Sequence, residues 1–403
     1  MSSNGEINYN KKSVKDIQVG GKKVLLRCDF NVPVDKETGK ITDEGRITAA
    51  LPTINYLLEQ GAAVIACSHF GRPKGEFNMA YSLAPVAESL SKHLGKPVKM
   101  AKDVIGADAL KLASELKAGE IMLLENTRFH KEEEKNDPEF AKKLADLADI
   151  FVSDAFGSVH RAHASTEGVS KYLPAVSGFL LKKELDNIGG AISDPKRPLV
   201  AILGGAKVSD KLGVIGNLLK KADAIIIGGG MAYTFVKAEG GKIGNSLCED
   251  SQFDAVLGMK KEAKERGVRL LLPSDTVAAK EFSNDSQPVT VECNAIPDDM
   301  MGLDIGPRTT DEFVREIAGA GTIVWNGPMG VFEFSNFEAG TRAVADAVAN
   351  SGAISIIGGG DSAAAVRKFG LEDKITHIST GGGASLEFME GKVLPGIACL
   401  LDA

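Results

Sequence analysis

The amino-acid sequence predicts an α/β protein with two doubly wound, Rossmann-like domains, each built on a parallel sheet. Three observations support this fold class. Short apolar runs alternate with amphipathic helical patterns along almost the whole chain, the alternation starts again after Pro195 and Pro198, and 403 residues are too many for one ordinary core. Runs that are apolar along their whole length are typical of parallel strands covered by helices on both faces.

In the first half of the chain, four apolar runs are predicted as strands and the patterns between them as helices. The strands are KVLLRCDF, AAVIACSHF, EIMLLENT and IFVSDAF. The helices are about Leu51 to Gln60, LAPVAESLSKHLG and EFAKKLADLAD. The acidic run KEEEK at 131–135 is predicted to be a solvated surface.

The second half repeats the same pattern. Its predicted strands are PLVAILGG, ADAIIIGG, VRLLLPSD, TIVWNG and AISIIGGG, and its clearest helices are SQFDAVLGMKKEAKERG and NFEAGTRAVADAVANSG. Between the two series, SGFLLKKELDNIGGAI has helical periodicity and predicts a helix that joins the domains. We therefore predict a first domain over 1–176, a connecting helix over 177–192 and a second domain over 193–393, with the substrate cleft between the domains.

The bulk properties narrow the class of protein. A formal charge of -7 and a pI of about 5.6 argue against nucleic acid or an anionic membrane as a partner. No apolar run approaches the roughly 18 residues of a membrane helix, and the first residues lack the apolar core of a secretory signal. The five cysteines are scattered without a C-x-x-C pair, which indicates free thiols in a reducing compartment. We expect a cytoplasmic protein.

Arginine and lysine are used differently in the first 170 residues. Lysines lie on the predicted helical surfaces, whereas all five arginines lie in loop-like motifs close to strand ends: Arg27, Arg46, Arg72, Arg128 and Arg161. The guanidinium fork binds carboxylate or phosphate through two parallel bonds, and ligands of open α/β sheets bind beyond the carboxyl ends of the strands. The pattern predicts a site for a small anion. The alternative is that each arginine pairs with a nearby acid, such as Arg128 with Glu125.

Glycine clusters follow strands in the second half, at 204–205, 228–230, 358–360 and 381–383. Glycine allows close backbone approach, and a helix N-terminus behind it offers N–H groups to phosphate, so we predict a nucleotide site. No P-loop and no G-x-G-x-x-G strand–helix fingerprint is present. Lys207 and Lys211, four residues apart, are expected to face this site. Asp361 is either a Mg²⁺ ligand or the N-cap of the following helix.

Several long motifs, in order, resemble the signatures of the phosphoglycerate kinase family. They are RCDFNVP, SHFGRP, LLENTRFH, HRAH, GGAKVSDK, WNGPMGVFEF, GGGDS and HISTGGGASLEFMEGKVLPG. The departures are small, because Phe70 replaces the more usual leucine and Ser362 stands where threonine is common. The resemblance implies that the first domain binds 3-phosphoglycerate, that the second binds MgADP or MgATP, and that the tail at 394–403 returns to the first domain.

The resemblance also implies the site residues. The acid-binding positions are Asp29, Phe30, Asn31, Arg46, His69, Gly71, Arg72, Arg128 and Arg161. The nucleotide positions are Gly205, Lys211, Gly229, Gly302, Asn326, Pro328, Glu333, Gly359, Gly360, Asp361 and Ser362, with Asp361 as the Mg²⁺ ligand. The transferred phosphoryl group is expected beside Arg46, Lys207, Gly382 and Gly383.

The predicted reaction is the reversible transfer of the acyl phosphate of 1,3-bisphosphoglycerate to ADP, with in-line geometry and closure of the domains. The expected partners are these small molecules alone, bound by a monomer. Two other classes are compatible with a basic pocket beside a nucleotide site: an ATP-dependent ligase that activates a carboxylate, and a two-domain protein that closes on an anion without reaction. A ligase needs a site for a second nucleophile, for which no motif occurs.

Overall fold

The computed structural model describes residues 7–403, so the first six residues of the predicted first domain and of the predicted non-signal segment lie outside it. The chain divides into two compact units. The first unit extends to Asp186 and also contains Val393–Ala403, and the second unit is Asn187–Lys392. This division falls inside the predicted connecting helix rather than at its two ends. The helical stretch consists of Phe179–Glu184, a π-helical segment Leu185–Gly189, and Gly190–Ser193.

The first unit is built on one six-stranded sheet in which every neighbouring pair is parallel. In the order along the chain, its strands are β1 (Lys23–Arg27), β2 (Ala63–Cys67), β3 (Val98–Met100), β4 (Ile121–Leu123), β5 (Ile150–Ser153) and β6 (Ala175–Ser177). Across the sheet the order is β3-β4-β2-β1-β5-β6. The central strands β1 and β2 lie in the middle, and their apolar side chains are buried.

Five of the helices described in the first unit connect these strands, a sixth follows β6, and a seventh lies in the C-terminal segment. They are α1 (Gly45–Glu59), α2 (Ala84–Leu94), α3 (Ala107–Glu115), α4 (Lys131–Glu134), α5 (Pro138–Ala145) and α6 (Phe179–Glu184). Local sequence explains their ends. Asp137 accepts a hydrogen bond of 2.9 Å from the backbone N–H of Phe140, and Pro138 occupies the first turn of α5.

The two ends of the chain pair with each other inside the first unit. The backbone N–H of Lys12 donates to the carbonyl of Leu401 at 2.9 Å, and that of Leu401 donates to the carbonyl of Ala175. The buried ammonium of Lys11 contacts the Asp402 carboxylate at 2.6 Å. The C-terminal segment thus extends the hydrogen bonding of β6.

The second unit also has a six-stranded parallel sheet. Its strands are β7 (Leu199–Leu203), β8 (Ala224–Ile227), β10 (Arg269–Leu271), β15 (Thr322–Asn326), β16 (Ile354–Gly358) and β17 (His377–Ile378), in the order β10-β8-β7-β15-β16-β17 across the sheet. Two small sheets accompany it. One is antiparallel and contains β11 (Asp275–Ala279), β12 (Val289–Glu292) and β14 (Met301–Ile305), and the other pairs β9 (Lys242–Ile243) with β13 (Ala295–Ile296).

The helices of the second unit are α7 (Gly190–Ser193), α8 (Leu212–Leu218), α9 (Ala232–Ala238), α10 (Phe253–Arg266), α11 (Pro307–Ala318), α12 (Ala339–Asn350), α13 (Gly360–Lys368) and α14 (Gly383–Met389). The C-terminal helix α15 (Pro395–Ala398) belongs to the first unit. Two buried carboxylates begin helices here. Asp275 accepts from the backbone N–H groups of Arg308 and Thr309 in α11, and Asp304 accepts from that of Gly340 in α12.

The prediction of two α/β domains with parallel sheets is confirmed, and each strand predicted from the sequence has its counterpart. The antiparallel sheet of β11, β12 and β14 was not predicted. Its strands are short, and glycine, acidic or exposed residues interrupt their apolar pattern.

Candidate active site

The polar residues that follow strands in the first unit meet at one edge of its sheet, since the carboxyl ends of parallel strands lie together. Arg27 is the last residue of β1, and His69 follows β2 by two residues. Arg128 lies in a 3₁₀ turn, Thr127–Phe129, after β4. Arg161 follows the 3₁₀ turn Phe156–Ser158 after β5.

Arg27 is the most deeply buried of the five arginines, with 1% of its surface exposed. Its Nε donates to the Ser165 hydroxyl at 2.8 Å, its Nη1 donates to the carbonyl of Cys28, and its Nη2 contacts Nδ1 of His69 at 3.1 Å. A guanidinium can only donate, so Nδ1 of a neutral His69 is the acceptor and Nε2 carries the proton. Burial and the positive charges of Arg27 and Arg128 lower the pKa of His69 well below its ordinary value. His69 therefore offers an N–H group while remaining uncharged.

Arg46 is half exposed and lies in the first turn of α1, which begins at Gly45 rather than near Leu51, so the prediction that it lies in a loop at a strand end is wrong. Its Nη1 contacts the Asp29 carboxylate at 2.8 Å, and that carboxylate also accepts from the backbone N–H of Asn31. The side-chain oxygen of Asn31 accepts from the backbone N–H of Gly71 at 2.9 Å. These contacts join the segment after β1, the glycine after β2 and the first turn of α1 into one polar group.

Arg128 is held by the protein in a way that excludes the alternative pairing with Glu125. The Glu125 carboxylate accepts from the backbone N–H of Leu83 and from the hydroxyl of Ser82. Arg128 instead donates from Nη1 to the carbonyl of Gly71 at 3.1 Å, and its Nε lies 3.7 Å from Glu134. The Nε atom is buried without a hydrogen-bond partner among residues 7–403. Arg128 therefore retains donor capacity beside Gly71.

Three further predicted residues differ in accessibility. Arg72 is exposed, and Arg161 is exposed with its Nε donating to Nε2 of His160 at 3.2 Å. Phe30 is fully buried in the apolar core, and its backbone N–H donates to the Ser68 hydroxyl. Phe30 can therefore shape the segment but cannot present its ring to a ligand.

The second unit contains a pocket of about 430 Å³ at the carboxyl ends of β7, β15 and β16. Backbone and small side chains form most of its wall. The lining residues are Gly204, Gly205, Ala206, Lys207, Asp210, Lys211, Asn326, Gly327, Pro328, Gly359, Gly360, Asp361, Ser362, Gly382, Gly383 and Leu386. A second cavity of about 450 Å³ lies beside β12 and has a different lining, which includes Glu239, Glu292 and Cys293.

Close backbone crossing explains why glycine occurs at the floor of the pocket. A Cβ on Gly204 would overlap the carbonyl oxygen of Pro328, and a Cβ on Gly327 would overlap the carbonyl group of Gly204. Gly327 also has φ of 102°, a conformation that side-chain-bearing residues rarely adopt. The backbone N–H of Gly204 donates to the carbonyl of Asn326 at 3.0 Å. The loops after β7 and β15 thus fit together only without side chains.

Both predicted lysines line this pocket, but their surroundings differ. Lys207 is exposed, whereas Lys211 is largely buried and donates from Nζ to the side-chain oxygen of Asn326. Burial lowers the pKa of Lys211, and the acidic groups of Asp210 and Asp361 act in the opposite direction. Lys207 is therefore the exposed cation of the pair, and Lys211 is the one held by a hydrogen bond.

Asp361 lies in the first turn of α13, whose N-cap is Gly359, and no side chain caps this helix. The alternative that Asp361 is the N-cap is therefore wrong. Its side chain is exposed and lines the pocket. The hydroxyl of Ser362, by contrast, is buried and accepts from the backbone N–H of Gly327 at 2.6 Å. Ser362 thus fixes the loop after β15.

Three predicted nucleotide residues lie outside the pocket lining. Gly229 packs against the backbone of Gly205, Gly302 accepts no side chain because the Tyr233 hydroxyl occupies that space, and Glu333 is exposed. Gly204 belongs to a glycine cluster that the sequence indicated, whereas four lining residues were not predicted: Ala206, Asp210, Gly327 and Leu386. Gly327 directly follows the predicted residue Asn326, so its position after a strand was the available signal.

Among residues 7–403, no group of three or more potential protein ligands is arranged to hold a metal ion, and no helix is both long and apolar enough to cross a membrane. A single carboxylate beside this glycine-lined pocket is nevertheless a suitable partner for Mg²⁺, because this ion takes few protein ligands when phosphate oxygens and water supply the others. Asp361 fits that description.

The protein has two α/β units, and each is built on a parallel sheet. One unit has clustered guanidinium groups and the other has a glycine-lined pocket. These features are typical of two-domain phosphotransferases that act on small molecules. The sequence matches the family model described as "Phosphoglycerate kinase" over residues 14–392. The chain belongs to this family.

Relatives and solved structures agree with this result. The phosphoglycerate kinases of Clostridium botulinum strain Hall and Clostridium perfringens strain SM101 are each 58% identical over 399 residues, which cover 98% of this chain and 100% of theirs. The solved structure of phosphoglycerate kinase from Coxiella burnetii has a TM-score of 0.91 at 46% identity. That from Pyrococcus horikoshii has a TM-score of 0.79 at 35% identity, and both comparisons cover 96% of this chain and 98% of the other. The predicted family and phosphotransferase activity are confirmed.

Proposed function

We propose that the first unit binds the acid and the second binds the nucleotide in the reaction of this family, the reversible transfer of the acyl phosphate of 1,3-bisphosphoglycerate to ADP. The observation that carries the proposal is the difference between the two sites. One offers guanidinium groups at the edge of a sheet, and the other offers backbone N–H groups around a pocket. The proposed domains remain 1–176 with the tail 394–403, and 193–393.

The proposed acid site uses groups of distinct chemistry. Arg128, Arg72 and Arg161 supply the charge that a phosphate requires, and His69 supplies a neutral N–H donor. Asp29 and Asn31 face the polar side, where a ligand hydroxyl is able to replace part of their present hydrogen bonding. Phe30 and Gly71 contribute through the backbone, since the Phe30 ring is buried.

The proposed nucleotide site places phosphates against Gly205, Gly359, Gly360 and the ammonium of Lys211, which Asn326 fixes. Pro328 is available to flank the base. Gly229 and Gly302 act by admitting neighbouring groups, and Glu333 is proposed to bind the ribose hydroxyls. Asp361 would hold Mg²⁺, which would neutralise part of the negative charge of the nucleotide phosphates.

The transferred phosphoryl group carries charge on its equatorial oxygens, and its chemistry needs positioning and positive charge more than covalent assistance. We assign that charge to Arg46 of the first unit and Lys207 of the second, together with the backbone N–H groups near Gly382 and Gly383. A general base is unnecessary, since in the reverse direction the attacking carboxylate is already an anion. Donor and acceptor bind to different units, so we propose closure about the helical stretch 177–192, in a cytoplasmic monomer.

The charge assigned to Lys207 can be tested by Lys207→Ala. Because the exposed ammonium is proposed to act on the transferred group, kcat should fall by on the order of 100-fold while ADP still binds. Steady-state assays of ATP formation from ADP and 1,3-bisphosphoglycerate, with calorimetric ADP titration, measure both quantities. Lys220→Ala, which changes an exposed lysine in the turn after α8, is the matched control. Weakened ADP binding at unchanged kcat would reassign Lys207 to nucleotide anchoring.

A further inference from the structure

The acidic run at 131–135 is not uniformly solvated, which corrects the prediction made from its sequence. Glu133 is buried with 1% of its surface exposed, whereas the side chains of Glu132 and Glu134 are 39% and 48% exposed. Three consecutive glutamates in one short helix therefore have different surroundings. Burying a carboxylate away from water costs free energy unless other groups compensate for the lost solvation. The contacts of Glu133 therefore require an explanation.

Glu133 joins two segments that carry proposed acid-binding residues. Its backbone carbonyl accepts from the N–H of Ala164 at 2.9 Å, and its carboxylate Oε1 accepts from the N–H of Ser165 at 2.7 Å. Glu133 follows the 3₁₀ turn that contains Arg128, and Ala164 and Ser165 follow Arg161 and His163. The residue therefore fixes the second segment against the first.

Ser165 extends this connection to the buried arginine. Its backbone N–H binds Glu133, and its hydroxyl accepts from Nε of Arg27 at 2.8 Å. The described contacts of the Arg27 guanidinium are the Ser165 hydroxyl, the carbonyl of Cys28 and Nδ1 of His69, and none of these groups is a carboxylate. Among these contacts the positive charge of Arg27 has no carboxylate bonded to it directly. Ser165 links the Arg27 guanidinium to the Glu133 carboxylate.

The field of Glu133 also acts on other members of the cluster. Burial lowers the pKa of His163, and the negative charge of Glu133 opposes that shift. Burial likewise lowers the pKa of Arg128, and Glu134 and Glu133 oppose it. The second carboxylate oxygen of Glu133, Oε2, has no hydrogen-bond partner within the described part of the chain. Within that part of the chain, the negative charge on this oxygen is not neutralised by a hydrogen bond. It therefore acts on neighbouring charges through the buried surroundings, where electrostatic interactions are stronger than in water.

We propose that Glu133 is a positioning residue of the acid site. Its buried negative charge counters the mutual repulsion of Arg27 and Arg128, and its bond to Ser165 fixes the segment that carries Arg161. The cations are then held close together before an anion arrives, which lowers the ordering cost of binding. This inference rests on the proposed acid site and adds to it a residue that does not touch the ligand.

The test is a kinetic comparison of Glu133→Gln with Glu132→Gln in the direction that consumes 3-phosphoglycerate and ATP. Glutamine keeps the oxygen that Ser165 requires and removes only the charge. We expect the KM for 3-phosphoglycerate to rise by about tenfold or more, the size typical of residues that orient a site's ligands, with the KM for ATP unchanged. Glu132→Gln should leave both KM values at the wild-type level.

Ser165→Ala is the second variant, because Glu133→Gln risks loss of folding. It removes the hydroxyl that binds Arg27 and leaves the contact between Glu133 and the Ser165 backbone. We expect the same selective rise in the KM for 3-phosphoglycerate, and less than additive losses when the two changes are combined. If Glu133→Gln does not fold, Ser165→Ala still tests the connection from Glu133 through Ser165 to Arg27, and an unchanged KM for 3-phosphoglycerate would overturn that connection.

Two results would overturn the inference. Equal changes in both KM values would indicate general destabilisation, and variants indistinguishable from Glu132→Gln would show that the buried charge does not act on the acid site. Failure of the proposed function is a separate outcome, because the wild-type protein would then form no acyl phosphate from 3-phosphoglycerate and ATP.

Discussion

The two candidate sites of this protein are formed by different chemical groups, namely charged side chains in the first unit and backbone in the second. In the first unit, long charged side chains converge and are held by other side chains, as in the contacts of Arg46 with Asp29 and of Arg27 with Ser165. In the second unit, backbone and glycine form most of the wall, and few charged groups are present. The difference shows that the proposed acid site depends on buried supporting side chains, whereas the proposed nucleotide site depends on space between loops. Different mutations should therefore impair the two sites. Truncation of a side chain should impair the first site, and addition of a side chain should impair the second.

The largest effect is expected from adding one methyl group to the second unit. Gly204→Ala places a Cβ where the Pro328 carbonyl oxygen lies, and backbone cannot move as a flexible side chain can. We expect a loss of stability on the order of 4–5 kcal/mol, the range reserved for severe steric defects. Thermal unfolding and ADP titration measure the result.

Gly216→Ala is the matched control in the same unit, since its Cβ would meet nothing within 4 Å inside α8. That change should stabilise the protein by about 0.5–1 kcal/mol through helix propensity. A Gly204→Ala protein as stable as wild type would remove the argument that the loops cross without room for side chains.

Each unit has a buried carboxylate at the start of a helix whose pKa is raised, since Asp304 accepts from Gly340 in α12 and Asp154 accepts from the backbone N–H groups of Leu180 and Leu181 in α6. Burial raises the pKa of Asp304 in the second unit to about 7, and that of Asp154 in the first unit to about 6. The folded state then binds the proton more tightly than the unfolded state. The stability that each protonated group contributes is complete below about pH 4 and is lost as pH rises through its folded pKa.

Against Asp304→Asn, the relative stability of the wild type should therefore fall by at most about 4 kcal/mol between pH 4 and pH 7 and stay level above. Against Asp154→Asn, the fall should be at most about 3 kcal/mol and end near pH 6. Urea unfolding at successive pH values measures both. If the wild type instead gained stability relative to Asp304→Asn as pH rises, the pKa of Asp304 would be lowered by folding rather than raised.

Truncation of a charged side chain is the corresponding change in the first unit. Arg46→Ala should raise the barrier to phosphoryl transfer by on the order of 3 kcal/mol, as loss of an oxyanion donor does, with little effect on stability because the side chain is half exposed. The ratio kcat/KM for ATP formation is the measurement, and Arg315→Ala in α11 is the exposed control. Loss of stability without loss of kcat would assign Arg46 a structural role.

The smallest effect is expected when pH is varied at His69, because we predict that the charge of its ring does not change between pH 6 and pH 8. Because burial and neighbouring arginines lower its pKa, the ring should remain neutral from pH 6 to pH 8 with the proton on Nε2. Imidazole ¹⁵N chemical shifts, assigned with His69→Gln, should show an unprotonated Nδ1 throughout. A protonation midpoint inside that interval would contradict the arrangement with Arg27.

Much of this architecture could be predicted from sequence because strand ends are visible as a change from apolar to polar residues. That signal locates Arg27, His69 and Arg128 at one sheet edge, and it locates the glycine pocket. Other features had no such signal. Glu133 stands in a run of charges, and only the contact with Ser165 reveals its burial. The position of Asp361 in the first turn of α13 depends on where the glycine loop ends, which sequence spacing leaves open.

Amide NMR of the whole protein can show whether the acid and the nucleotide bind to separate units. Adding 3-phosphoglycerate alone should shift amides around Asn31, Gly71 and Arg128, and adding MgADP alone should shift those around Gly205, Gly359 and Gly382. If 3-phosphoglycerate alone shifted the amides of the glycine pocket, or MgADP alone shifted those of the arginine cluster, the assignment of the two sites would be contradicted.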